Sequence, residues 1–412
     1  MDAHDYIPPP EFDVGSLRAA KVLGRGATGI VFLARDTSSP HHPPFALKVV
    51  DESVAHPHAA RRARHEISVL RRLSSGADGG AGHPFLPLLL GSSEGGGLIC
   101  WATPFCPGGD LNDLRHRQHD RAFSPAVIRF YLAEIVCALE HLHRRGIVYR
   151  DLKPENVLVQ RSGHVTLTDF DLSRDLHVPT PKPEIPVDEN PVRRPPATRN
   201  FTRLIFPGRG NHAQQNKNKK GTKKPKSARV SPVSRRPNPG DLPTNERSNS
   251  FVGTVEYVAP EVIRGDGYEF AVDWWALGVL CYEMLYGATP FKGRNRKETF
   301  QKILLAEPAF MGKPDALTDL IKGLLEKDPT RRLGYGRGAC EVKEHEFFRG
   351  LRWDLLMEVS RPPFLPSAGD EADTAEWGTD VTEYFQKLRQ PPSPSRSPSI
   401  DECRNNFSLT EF

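Results

Sequence analysis

The sequence is poor in cysteine: Cys100, Cys106, Cys137, Cys281, Cys340 and Cys403 are scattered, and no C-x-x-C pair occurs. That argues against a zinc module and a secreted disulfide framework, and fits a reducing compartment. Long apolar runs are also missing. The longest, Trp274 to Leu285, is interrupted by Glu283, is too short to span a bilayer and reads as a buried helix. Residues 1–10 have neither a basic n-region nor an apolar h-region, so no signal peptide is expected, and no lipidation motif stands at either end. Repeats of solenoid length are absent.

What is present is a chain of 412 residues, 38% hydrophobic and 26% charged, long enough for one large bilobal unit or two domains. Its 38 prolines point to tails and linkers. The net charge of +5 is unevenly spread. Residues 174–247 hold 17 Lys/Arg against 6 Asp/Glu, a balance of +11 that leaves −6 on the remainder. This segment lacks apolar periodicity, cannot bury enough surface to offset its ordering entropy, and is expected to be a disordered insertion. The stretch from Ser367 to Ser399, closing in Pro391–Pro398, is expected to be a largely disordered tail.

Alternating apolar residues from Leu17 to Leu33 predict two strands joined by a glycine-rich turn, and Phe45 to Val50 predicts a third. Ala59 to Leu73 has helical spacing, with Ile67, Leu70 and Leu73 on one face. A long helix is expected from Pro125 to Arg145, with Ser124 as N-cap. Strand-rich sequence followed by helix-rich sequence implies two lobes with a cleft between them.

The chemistry appears as an ordered series. Gly24-Arg25-Gly26-Ala27-Thr28-Gly29-Ile30-Val31 is a G-x-G-x-x-G-x-V string, in which glycine lets backbone amides approach phosphate. Alone it also serves dinucleotide folds and tight turns; here a strand rather than a helix follows. Lys48 sits inside the apolar strand Ala46-Leu47-Lys48-Val49, where a snorkelling surface lysine is the bland alternative, and Glu66 on the predicted helix is its candidate partner. Arg150-Asp151-Leu152-Lys153-Pro154-Glu155-Asn156 places a carboxylate five residues before an amide. Asp151 is read as the acceptor of a hydroxyl proton, Lys153 as the charge that meets a transferred phosphoryl group, and Asn156 as a magnesium ligand. Thirteen residues on, Thr168-Asp169-Phe170-Asp171 supplies a second magnesium ligand, Asp169.

Gly253-Thr254-Val255-Glu256-Tyr257-Val258-Ala259-Pro260-Glu261 and Asp273-Trp274-Trp275-Ala276-Leu277-Gly278 complete a set that resembles the eukaryotic protein-kinase signature, over roughly residues 17–348 apart from the insertion. Lys327-Asp328-Pro329-Thr330-Arg331-Arg332-Leu333-Gly334 and His345-Glu346-Phe347-Phe348 resemble the AGC branch. Asp-Phe-Asp at 169–171 and the basic insertion resemble the plant-specific AGC VIII kinases, most of all the UNICORN type.

This resemblance implies an α+β, bilobal kinase fold: an N-terminal arm (1–16), a β-rich small lobe and hinge (17–107), an α-rich large lobe (108–348) interrupted by the insertion at 174–247, and a C-terminal tail (349–412). It implies a serine/threonine protein kinase using ATP and Mg2+. Leu23, Gly24, Gly26, Gly29, Val31, Ala46, Lys48, Glu66, Thr103 as gatekeeper, the Cys106 backbone N–H and Asp110 would bind the nucleotide. Ser250 would be an activating phosphosite paired by Arg150, Arg174 and Arg62. Asp110, Glu155 and Glu283 would hold substrate arginines, and Glu261, Arg332 and Asp273 would be structural. Phe385 is the tail residue expected near the ATP site, and Leu409 replaces the first phenylalanine of the F-x-x-F end that recruits an upstream kinase. Asp171, in place of a more permissive glycine, is expected to alter switching rather than abolish catalysis.

The cluster Lys217 to Lys226 reads as a nuclear-import signal, giving nuclear and cytoplasmic residence and an import receptor as partner, with a solubilising linker as the alternative. Little aromatic sequence is interleaved for stacking bases, and neither a nucleic acid nor a membrane is implied as an obligate partner. Protein substrates with Ser or Thr near basic residues are. Two other classes stay open on residues alone: a pseudokinase scaffold, which predicts a broken Lys48, Asp151, Asn156 or Asp169, and a polyanion-binding module. A metabolic small-molecule kinase is disfavoured by the segment Gly253–Glu261.

Overall fold

Alternation builds the small lobe. Strands β1 (Leu17–Arg25), β2 (Ile30–Asp36) and β3 (Phe45–Asp51) bury Leu17, Ala19, Phe32, Ala34, Phe45, Leu47 and Val49 on one side. Helix α1 (Pro57–Ser74) then crosses to β4 (Gly91–Gly95) and β5 (Leu98–Pro104), which complete an antiparallel sheet. The computed structural model describes residues 11–176, 255–359, 362–366 and 377–389, apart from 27, 28, 40, 56, 76–81 and 268. The chain divides into two units, residues 1–179 with 254–412 and residues 180–253; the second lies outside the described residues, as do Ser250, Lys217–Lys226 and Leu409.

The large lobe follows as α2 (Leu111–His116), α3 (Pro125–Arg144), short strands β6 (Ile147–Val148), β7 (Val157–Val159), β8 (Val165–Leu167) and β9 (Arg174–Asp175), then α4 (Pro260–Arg264), α5 (Ala271–Tyr286), α6 (Arg296–Leu305), α7 (Ala316–Leu324), α8 (Ala339–Lys343) and α9 (Leu356–Val359). Ser124 caps α3, its side chain accepting the Val127 N–H, and Pro125 opens the first turn as expected. Helix α5 is apolar nearly all round because it is the centre of this lobe. Gly278 lets α7 approach it: a Cβ there would lie 2.8 Å from Leu324 Cβ.

Two sequence expectations are corrected. Arg174 and Asp175 are not the start of an insertion; they form β9, paired antiparallel with Val148 and Ile147. The run from Ser367 to Ser399 is not without structure, because β10 (Thr379–Asp380) pairs with β1 and α10 (Val381–Arg389) follows it. The signal for α10, Val381, Tyr384, Phe385 and Leu388 at helical spacing, is only nine residues long and abuts a Pro- and Ser-rich stretch. Tertiary contacts stabilise so short a helix. Val381 and Phe385 join the small-lobe core, and Arg389 grips buried Asp51 through two hydrogen bonds of 2.8 Å. Phe385 therefore packs edge-on to Phe32, centroids 6.1 Å apart, and does not line the cleft between the lobes, where the tail residue is expected. Phe385→Ala is expected to cost about 3 kcal/mol and to lower the melting midpoint in a denaturation experiment; a wild-type midpoint would mean α10 adds nothing to the small lobe.

Candidate active site

Between the lobes lies a cleft of about 730 Å³, and most of the residues singled out above converge on it. Leu23, Val31, Ala46 and Thr103 form its upper wall, and Leu158 the floor. Thr103 faces Ala46 across the β3–β5 ladder. The Cys106 carbonyl accepts the Gly109 N–H at 3.4 Å, whereas the Cys106 N–H has no protein acceptor among the described residues. Burial pushes the Cys106 thiol up to about 12, so it stays protonated.

The glycines divide into two kinds. A Cβ on Gly29 would sit 2.4 Å from the Val49 carbonyl oxygen, so packing against β3 demands glycine there. At Gly24 nothing lies within 4 Å of such a Cβ, and at Gly26 only the Gly29 carbonyl oxygen, 3.9 Å away. Nothing among the described residues requires glycine at 24 or 26. The room is left on the cleft side, which suits a ligand that packs onto backbone amides.

Beneath the strands, Lys48 Nζ stands 2.8 Å from Glu66 Oε2 and 2.9 Å from Asp169 Oδ1. Burial alone would lower the lysine, but the two carboxylates outweigh it and hold it well above its usual range, fully charged. Burial raises Glu66 to about 7 even against the attraction of Lys48. Asp169 is also opposed by burial, yet Lys48 brings it below its ordinary value. Nζ also lies 5.2 Å from the centroid of the Trp101 ring, a neighbour that no local pattern reveals.

The loop before β7 is a single hydrogen-bonded unit. Asp151 Oδ2 accepts from Lys153 Nζ at 2.8 Å and from Asn156 Nδ2 at 2.7 Å, leaving Oδ1 without a donor among the described residues. Asn156 Nδ2 also donates to the Asp151 carbonyl oxygen, and its own amide oxygen has no donor among the described residues. Burial raises the Asp151 carboxyl. Asp273, fully buried, holds the loop from below: its oxygens accept Tyr149 N–H at 2.8 Å, Arg150 N–H at 2.7 Å and a contact of 2.8 Å with His143 Nε2. These bonds hold Arg150 at φ +71°, a strained angle for a residue with a long side chain, just before Asp151. Asp169 has φ +60°.

Not every expected residue lies open. Asp110 caps α2, accepting the Asp113 N–H at 2.8 Å, and lines the cleft with exposed Glu155. Burial raises the Asp110 carboxyl, and Glu155 adds to that. Glu283 already has partners within the chain: Arg115 Nη2 donates to one oxygen at 3.0 Å and the Tyr257 hydroxyl to the other at 2.6 Å. Arg150 Nη1 donates to the Leu172 carbonyl, Arg174 Nη1 to that of Ser173, and Arg62 faces Asp171. Glu261 and Arg332 form a buried two-point pair of 2.7 and 2.9 Å.

A lysine–glutamate pair under a glycine-rich turn, with two acidic loops facing it across a cleft, defines a protein kinase. The chain belongs to the protein kinase family, whose domain model matches residues 17–190 and 240–348. Within it the chain groups with the plant AGC VIII serine/threonine kinases. It is 56% identical over 418 residues to serine/threonine-protein kinase UCNL of Arabidopsis thaliana, covering 98% of this chain and 97% of that one. To kinase UCN of the same plant it is 54% identical over 412 residues, with 98% and 97% covered. Kinase OXI1, also from Arabidopsis thaliana, is 44% identical over 372 residues, with 90% and 82% covered.

Proposed function

We propose that this kinase moves the γ-phosphoryl group of ATP to serine or threonine hydroxyls of proteins carrying arginine near the acceptor. The observation that carries the reading is the Asp151 carboxylate. One oxygen is pinned by Lys153 and Asn156, and the other remains free, in a buried loop strained into place by Asp273. A hydroxyl nucleophile needs such an acceptor and orienter. Lys153, two residues away and on the cleft wall, is placed to meet charge that builds on the transferred group. Lys48, held by Glu66, would bind the phosphates of the nucleotide, and the unblocked Cys106 N–H its base.

Asp169 and the amide oxygen of Asn156 are hard oxygen donors, and both line the cleft; they fit Mg2+. When bound, the metal neutralises phosphate charge. The selectivity for arginine would come from Asp110 and Glu155, since no cation of the described residues pairs with either. Ser250 phosphorylation would regulate the activation segment.

The test is transfer from γ-labelled ATP with Mg2+ to paired peptides, one with Arg upstream of Ser and one with Ala there. Label on serine, with kcat/KM about tenfold higher for the arginine peptide, is the expected result. In the variant carrying Asp110→Asn and Glu155→Gln that preference should collapse to near unity. No transfer at all removes the kinase reading in favour of a scaffold; transfer without preference removes only the arginine specificity.

A further inference from the structure

Residues Asp169, Asp171, Ser173 and Asp175 alternate along one run of chain, and each is tied to α1. Asp169 is joined through Lys48 to Glu66. Arg62 Nη1 lies 3.5 Å from Asp171 Oδ2. His65 Nε2 lies 2.8 Å from the Ser173 carbonyl oxygen, and Arg72 Nη1 donates to Asp175 Oδ1 at 2.5 Å. Of the two direct ion pairs in this seam among the described residues, Arg72–Asp175 is exposed, its side chains 42% and 50% accessible, so solvent and salt weaken it. Arg62–Asp171 is enclosed, at 20% and 7%. Its charges are less screened, and removing either one leaves the other in a poorly solvated place.

Position sets what the pair can do. Arg62 and Glu66 are four residues apart and share a face of α1. A tie at Arg62 therefore fixes the rotation of the helix one turn before the glutamate that holds Lys48. In protein kinases, activation depends on seating this glutamate on its lysine, and phosphate on the activation segment ordinarily contributes to that through arginines. The sequence expectation sends Arg62 to such a phosphate. The structure sets it against a carboxylate within the chain, Asp171, at the position where glycine would supply none, and Ser250 lies outside the described residues.

We propose that Asp171 is a positioning residue for phosphoryl transfer, its pair with Arg62 holding α1 so that Glu66 seats on Lys48 without a phosphate on the activation segment. This rests on the kinase reading above and adds to it the control of that site. The anion is built in, so the catalytic pair is assembled before any upstream kinase acts. Phosphorylation at Ser250 then serves the substrate-binding segment more than α1.

The test uses the full chain carrying Ser250→Ala, so that no phosphate forms at that position. It compares this background with Asp171→Asn, Arg62→Gln, both together, and Arg62→Lys. The readouts are kcat and KM for ATP, amide exchange over residues 62–72, and the melting midpoint. The Ser250→Ala background should keep measurable transfer. Each single change should lower kcat/KM for ATP about tenfold and speed exchange over α1 more than over the rest of the chain, with at most a small fall in the melting midpoint; the double should be no worse than the worse single, and Arg62→Lys should keep part of the activity. Losses that multiply in the double, wild-type kcat/KM in the singles, or transfer abolished by Ser250→Ala alone would each overturn the proposal. If even the unmutated, phosphorylated chain transfers nothing, it is the kinase reading that fails; α1 exchange then still decides, and exchange unchanged by Asp171→Asn overturns this proposal too.

Discussion

Asp151→Asn lowers kcat about a hundred- to ten-thousand-fold, the range that a positioned proton acceptor contributes, while the fold survives. The substitution is nearly isosteric, and its remaining oxygen can still accept from Lys153 or Asn156, so the loop keeps its bonds to Asp273. What is lost is the free carboxylate oxygen. An amide NH2 in its place cannot take a proton from the attacking hydroxyl, and its dipole opposes the developing charge. Uniform binding is little touched, so the loss should fall on kcat with KM for ATP close to wild type. The check is steady-state kinetics with a peptide substrate beside a thermal melt of the same preparation. A variant that melts normally and keeps kcat within a few-fold of wild type would show that Asp151 does not accept the proton.

Breaking the Glu261–Arg332 pair is expected to have the largest effect on stability, about 3–5 kcal/mol for Arg332→Ala. The Arg332 side chain is wholly buried, and its guanidinium satisfies more than one partner. Beyond the two bonds to Glu261 it donates to the Ala271 carbonyl at 2.8 Å, and Nε donates to that of Glu326 at 3.0 Å. It also stacks over Trp275, at 5.2 Å from the ring centroid. Truncation strands the Glu261 carboxylate in the core and leaves those carbonyls without their donor. A fall in melting temperature on the order of 10 °C follows. Because Glu261 opens α4, just after the segment containing Tyr257, activity should decline before global unfolding. Replacing both residues with apolar side chains of similar volume should recover part of the loss, as removing a whole buried pair is far cheaper than removing half of it. A double variant as unstable as the single would place the cost in packing around Trp275 instead.

The first of these features is legible in the sequence, and the reason is local. Asp151, Lys153 and Asn156 fall within six residues, so one loop can bring them together whatever the rest of the chain does. The same holds for the glycine-rich turn between β1 and β2, and for α3, whose capping serine, first-turn proline and apolar spacing lie in one continuous stretch. The surroundings of Glu283 were hidden for the opposite reason. Its acidity is visible in the sequence, but its two partners come from residues 168 and 26 positions away. In the tail, residues 379–389 carry a helical spacing too short to stand alone, and the apolar surface that stabilises them belongs to strands at the other end of the chain.

The sequence by itself determined the kinase class, the order of its motifs, the strand-rich and helix-rich halves and the chemistry of the cleft, because residue types at short fixed spacing are enough to specify them. Tertiary structure alone decided the charge pairs that no motif marks. Arg62 finds Asp171 across 109 residues and Arg389 finds Asp51 across 338. Such pairs depend on where whole elements pack, and apolar burial sets that packing without regard to distance along the chain. A lone arginine on a helix carries no mark of the carboxylate it will face.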